Sequence, residues 1–195
     1  MTAHAAEGHV EAHGSASPAA RLTINRLGLW LFIVSDAFFF AALISSRYFV
    51  KGVTTPEEVN QPLGLALTIV LLLSSLTAYR SEVAIEHGDQ GRYKTYTLLT
   101  VLLGVLFLAG VGLEWHEAYQ HFPPSTGYGT VLFTLTGIHA THVLSGIIVL
   151  ALVYRAGRKG AYGPGNYWPP EAAVKYWHFV DVAWVFIYPT LYLVR

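Results

Sequence analysis

The chain predicts an all-α fold, an integral membrane bundle of five transmembrane helices with a cytoplasmic N-terminus and a C-terminus on the outer side. Three observations carry this. First, 53% of the 195 residues are hydrophobic and only 12% are charged, against roughly 25% charged in an average soluble domain, and the mean hydropathy is +0.44. Second, the sequence holds five mostly apolar runs of about 20 residues, the length that crosses a hydrocarbon core about 30 Å thick. Third, its basic residues fall unevenly between the breaks, and basic loops stay on the cytoplasmic side.

The runs occupy residues 27–50, 63–79, 96–115, 129–154 and 174–194. Each break has its own chemistry. Residues 51–62 hold Pro56, Pro62, Glu57 and Glu58; residues 86–94 are charged; residues 121–129 carry Pro123-Pro124; residues 155–170 are basic and rich in Gly and Pro. Residues 1–26 have no apolar core and so are not a secretory signal; they read as a disordered, His-bearing cytoplasmic tail before a 27–195 membrane domain. His4, His9 and His13 in that tail have the chemistry to gather a metal ion, although such tails are more often only solvated. Arg21, Arg26, Arg80, Arg92, Lys94, Arg155, Arg158, Lys159 and Lys175 fall on one side, and Arg47, Lys51 and Arg195 on the other. The first group marks the cytoplasmic side.

Composition also excludes. A formal net charge of zero gives no basic footprint for a nucleic acid. The absence of cysteine removes disulfides, thiolate metal sites, iron–sulfur clusters and cysteine nucleophiles. No GxSxG, P-loop, HExxH or dinucleotide fingerprint supports hydrolytic or nucleotide chemistry.

Ionisable groups inside the runs are the candidate functional residues, because each is expensive in a bilayer. Asp36 lies nine residues into the first run, about 14 Å deep at 1.5 Å per residue. It must face protein, water or inward-drawn headgroups; a neutral, hydrogen-bonded Asp and a proton-handling Asp are both consistent with that position. His139 and His142 stand at i and i+3 in the fourth run, on a face shared with the small residue Gly146. With His178 they form a possible haem or metal ligand set, although histidines bonded across helices are the commoner case. His178 and Asp181 repeat the i, i+3 spacing in the fifth run, on a stripe continued by Val185, Tyr188 and Tyr192 that is expected to face protein. Glu114 and Glu117 stand one turn apart at the end of the third run, near His116 and His121, and read as two solvated carboxylates more readily than as an acid–base pair. Ser74, Ser75 and Thr77 read as packing and hydrogen-bonding residues.

Five segments taken in order resemble subunit III of the haem–copper terminal oxidases. They are LFIVSDAFFF at 31–40, LLLSSLT at 71–77, EWHE at 114–117, TGIH at 136–139 followed by His142, and YWHFVD at 176–181. The resemblance covers nearly everything after the tail. It implies an accessory subunit without redox centres, one that stabilises the catalytic subunit and supports proton uptake in a proton-pumping respiratory oxidase of the bacterial plasma membrane. Haem and copper would belong to the partner catalytic subunit I, and phospholipid would be bound. It implies that Asp36 is the family's buried carboxylate, and that Glu114, His139, His142, His178 and Asp181 make interhelical or lipid contacts, with no catalytic or metal-binding residue here. The full family form has seven helices, and this chain resembles the five-helix bacterial version. The membrane acid is commonly Glu in the cytochrome c oxidase branch; Asp36 and the His-bearing tail lean slightly toward a quinol oxidase. Two readings from other classes stand beside this one: a stand-alone haem- or metal-binding membrane enzyme using His139, His142 and His178, and a proton-conducting transporter built on Asp36.

Overall fold

The computed structural model describes residues 17–50, 56 and 59–194. His4, His9, His13 and most of the expected tail lie outside the described residues. Within them the chain forms α1 (Pro18–Phe49), α2 (Gln61–Glu86), α3 (Gln90–His121), α4 (Gly127–Arg158), α5 (Trp168–Tyr188) and a closing π turn (Pro189–Leu193). Residues 18–26, expected in the tail, are helical.

The helix starts follow from local chemistry. Ser17, Asn60, Asp89 and Thr126 each accept a hydrogen bond from a backbone N–H three residues on, satisfying a donor that the first turn leaves open. Proline in the first turn of α1, α2 and α5 supplies a preset φ where no N–H is needed. Two helix ends use the left-handed conformation. Gly88 (φ 78°) follows α2 and Gly160 (φ 77°) follows α4; in each case the next residue's N–H returns to a carbonyl of the last turn, Asp89 to Ala84 and Ala161 to Ala156.

Helices α1 to α4 are long and apolar enough to cross a membrane. At 1.5 Å per residue, the 32-residue helices α1, α3 and α4 reach about 48 Å, so their polar ends extend beyond a 30 Å core. Helix α5 differs in composition: its 21 residues include Glu171, Lys175 and Asp181. Pro189 then ends it, since proline has no N–H to continue the ladder.

Consecutive helices α2, α3, α4 and α5 pack side by side, α5 also closes against α2, and α1 lies along α5 and α4. The centre is Trp177, fully buried on α5. A Cβ on Gly104 of α3 would stand 2.6 Å from its ring, and one on Gly146 of α4 would stand 2.8 Å from it. The two glycines therefore form the slot that lets the indole sit between α3 and α4. Helix α1 is the least buried: Phe38 is 73% exposed and Leu31 63%.

Candidate functional site

Polar groups occur at three levels. At the end where α1 and α5 start and α2 ends, Arg26 binds Glu171 at 3.0 Å, and Lys175 bridges Glu171 at 2.7 Å and Glu82 at 3.2 Å. This chain of ions ties α1, α5 and α2 together. At the opposite end, every other helix sends a side chain to the C-terminal turn. Arg47 (α1), only 1% exposed, donates from Nε to the Thr190 carbonyl at 2.8 Å, with its guanidinium 5.2 Å from the Tyr128 ring. Gln61 (α2) donates to the Tyr192 carbonyl, Tyr128 (α4) donates to the Leu191 carbonyl, and Glu114 (α3) accepts a short bond from the Tyr192 hydroxyl. Carbonyls that a helix end leaves open are thereby satisfied.

The middle level runs between α2 and α5. Trp177 Nε1 donates to Ser74 Oγ at 3.0 Å, and Ser74 donates onward to the Leu71 carbonyl. Trp184 Nε1 donates to Thr68 Oγ1, which donates to the Gly64 carbonyl. Across α3 and α4, Trp115 donates to Thr136 in the same way. Each hydroxyl turns its own proton back onto its helix and leaves its oxygen free for an indole N–H. His178 joins this seam, 2.7 Å from Ser75 Oγ.

Asp36 and His142 meet across α1 and α4, with Oδ2 and Nε2 3.2 Å apart. The approach is oblique and falls outside hydrogen-bond geometry, so Oδ2 has no hydrogen-bond partner among the described residues. His142 Nδ1 lies 2.7 Å from the Ile138 carbonyl, an acceptor only, which assigns the proton to Nδ1. Nε2 of a neutral ring then has only a lone pair to present. Attraction between the two facing atoms therefore requires a proton on one of them, on the carboxyl group or on Nε2. Close by, Tyr176 and Ser145 pair at 2.7 Å; since Ser145 donates to the His142 carbonyl, it accepts from Tyr176. Two apolar grooves flank α1: one of about 490 Å³ toward α4 and α5, past Phe32 and Tyr176, and one of about 520 Å³ against α5, past Phe40 and Phe179.

The remaining candidates separate. His139 is fully buried among Phe40, Phe107 and Trp184, with ring centroids 4.9 to 6.3 Å away, and neither ring nitrogen has a hydrogen-bond partner among the described residues. Asp181 is 3% exposed with both oxygens likewise unpaired. The three histidines do not fit a haem or metal. His142 faces α1, His178 faces α2, His139 sits in its aromatic cage, and among the described residues no three His, Asp or Glu side chains group as metal ligands.

Two expectations are corrected. Glu114 is not solvated beside Glu117 but is 5% exposed and bound to Tyr192. Val185 is 44% exposed and leaves the inward stripe of His178 and Asp181, whereas Tyr192 regains the interior through the π turn. Arg47, Tyr128, Trp177 and the Arg26–Glu171–Lys175–Glu82 chain were not singled out from the sequence. Arg47 offered a signal: a cation two residues from the end of an apolar run has to find acceptors.

The arrangement defines a class: a multi-pass helical membrane protein whose histidines and carboxylates are dispersed among interhelical contacts. Comparison with known proteins gives the particular family. The profile of the cytochrome c oxidase subunit III family matches residues 5–194. Similar proteins include the cytochrome c oxidase subunit 3 of Corynebacterium diphtheriae, 32% identical with 92% of this chain and 95% of the relative covered. That of Synechocystis is 31% identical (94% and 80% covered), and that of Gallus gallus 34% identical (86% and 68% covered). The chain belongs to the cytochrome c oxidase subunit III family. It is the accessory subunit III of a haem–copper oxidase, a component of a multi-subunit respiratory complex.

Proposed function

We propose that this subunit holds no redox centre and contributes a proton-exchanging pair, Asp36 with His142, to an oxidase whose haem and copper reside in the partner catalytic subunit I. The observation that carries the reading is the 3.2 Å approach of Asp36 Oδ2 to His142 Nε2: with Nδ1 of His142 committed to a carbonyl, Nε2 is the ring nitrogen left to hold or give up a proton beside the carboxyl group. Such a pair can take up a proton at Nε2 or on the carboxylate, pass it between the two, and release it again to the surroundings. His139, His178 and Asp181 act as interhelical contacts in this reading, and phospholipid covers the apolar grooves beside α1.

Helix α5 is the fifth span in this proposal, its charges placed at one end and against α2. The N-terminus is cytoplasmic and the C-terminus lies on the outer side of a bacterial plasma membrane, as the distribution of Lys and Arg supports. The relatives' names favour cytochrome c over a quinol as electron donor to the complex.

Purifying the complex through a tag on this chain and recording a reduced-minus-oxidised spectrum tests the assignment to an oxidase. An a- or o-type haem should copurify, and its absence would overturn the assignment. Asp36→Ala should assemble with a normal spectrum and lose sustained turnover or proton pumping. Unchanged turnover and pumping would leave Asp36 a structural residue.

A further inference from the structure

Glu114 lines a cavity of about 280 Å³ at the C-terminal end of the bundle, formed by the start of α2, the end of α3 and part of α4. Its Oε1 is occupied by Tyr192, while Oε2 has no hydrogen-bond partner among the described residues although Glu114 is 95% buried (5% exposed). Glu117 adds a second carboxylate to the wall, bound at Oε2 to Asn60. Gln120 supplies an amide, His121 a ring whose Nδ1 is 3.1 Å from the Glu117 carbonyl, and Phe122 and Leu132 an apolar side. Among the described residues no Lys or Arg lines the space. A buried carboxylate with an idle oxygen, next to a second carboxylate and an open cavity, calls for a cation.

The chemistry selects the kind of cation. Among the described residues no three His, Asp or Glu side chains are placed to hold a metal ion, which would need several ligands at 2.0–2.6 Å. A primary ammonium makes three hydrogen bonds on a longer reach and suits acceptors spread around a cavity, here the Glu114 and Glu117 carboxylates and the Gln120 amide oxygen. The Phe122 and Leu132 wall would take the carbon next to the nitrogen. We infer that this cavity binds the primary ammonium headgroup of an aminophospholipid, held chiefly by Glu114. The site lies at the headgroup level of the leaflet on the C-terminal side, so the inference rests on the membrane placement proposed above and is independent of any proton role for Asp36.

The test uses the intact complex in nanodiscs of equal phosphatidylethanolamine, phosphatidylcholine and phosphatidylglycerol, with the lipid retained after detergent stripping counted by mass spectrometry. The wild type should hold phosphatidylethanolamine preferentially, and Glu114→Gln should lower that retention about tenfold, equivalent to 1.4 kcal/mol, leaving the other two lipids unchanged. Asn60→Asp keeps a competent helix cap and adds a carboxylate, so it should raise the retention. It serves as the readout should Glu114→Gln fail to assemble. Equal retention of phosphatidylethanolamine and phosphatidylcholine, or an unchanged ratio in both variants, overturns the proposal. Isotope-labelled ethanolamine is added in a parallel arm: if it binds while the lipid is not enriched, the lipid source is overturned. Haem copurification is read in the same samples, so failure of the oxidase assignment is seen separately.

Discussion

The α2–α5 seam and the α1–α4 contact both bury polar side chains in an apolar bundle, yet they treat them oppositely. In the seam the donors have matched acceptors, Trp177 with Ser74, Trp184 with Thr68, His178 with Ser75 and Lys175 with Glu82, and Asp181 is the exception, with no hydrogen-bond partner among the described residues. Between α1 and α4 a carboxyl and an imidazole meet once, obliquely, with grooves on either side. Satisfied polar pairs fix which helices are neighbours; a pair short of hydrogen bonds, with one member on the least buried helix, carries little of the packing. Substitutions in the seam should therefore cost stability, and those at Asp36 should cost activity.

The largest effect should come from Trp177→Ala. It empties the space between Gly104 and Gly146 and orphans the Ser74 oxygen, and aromatic-to-Ala changes in cores cost about 3–5 kcal/mol. Thermal unfolding of the purified complex, followed by loss of this subunit, should show it as a marked fall in midpoint. A midpoint near wild type would mean that the seam does not hold the bundle. Gly146→Ala tests the same slot from the other side. Its new Cβ would lie 2.8 Å from the Trp177 ring, and overpacking of this kind costs about 1–3 kcal/mol. The same unfolding assay should place it between Trp177→Ala and wild type, with Gly146→Leu beyond it. Ser75→Ala comes third. It leaves His178 Nδ1 without its partner on α2, a loss of about 1 kcal/mol. If Ser75→Ala lowered turnover while leaving the midpoint unchanged, the division between a structural seam and a chemical pair would fail.

What the sequence revealed follows the range of the physics involved. Five helices and their order were legible because apolar runs and Ser, Asn, Asp and Thr caps are local signals. Their ends were drawn short, α3 as 96–115 against Gln90–His121, because helix continues into polar flanks once N-caps and Schellman turns support it. That Asp36, His142, His178 and Asp181 are special was also legible, since an ionisable group in an apolar run stands out anywhere. Which of them meet was not, because the spacing within one helix says nothing of the neighbouring one. His139 and His142 share a helix and a turn, yet one faces an aromatic cage and the other faces α1. Glu114 was read as solvated because it lies near a run end and Arg47 was only counted toward the outer side; a π turn after Pro189 that returns the chain to both has no periodic signature.

The smallest change in stability, and the sharpest test of the comparison, belongs to Asp36→Asn. The side chain keeps its volume and its position on α1, and the carboxyl it replaces makes no hydrogen bond with His142 that could be lost. Unfolding of the complex should shift by less than about 0.5 kcal/mol, as expected where no packing or satisfied bond is removed. The amide, however, cannot take up or release a proton, so Nε2 of His142 loses the acid–base group that stands 3.2 Å from it. Turnover should decay over successive cycles, or proton pumping should fall, at unchanged subunit content. Asp36→Glu separates chemistry from shape. It keeps a carboxyl group at this position and adds one methylene on the least buried helix. Activity should then follow the acid, retained in Asp36→Glu and lost in Asp36→Asn. If both variants behaved alike, the α1–α4 contact would be one more packing feature and its contrast with the seam would vanish.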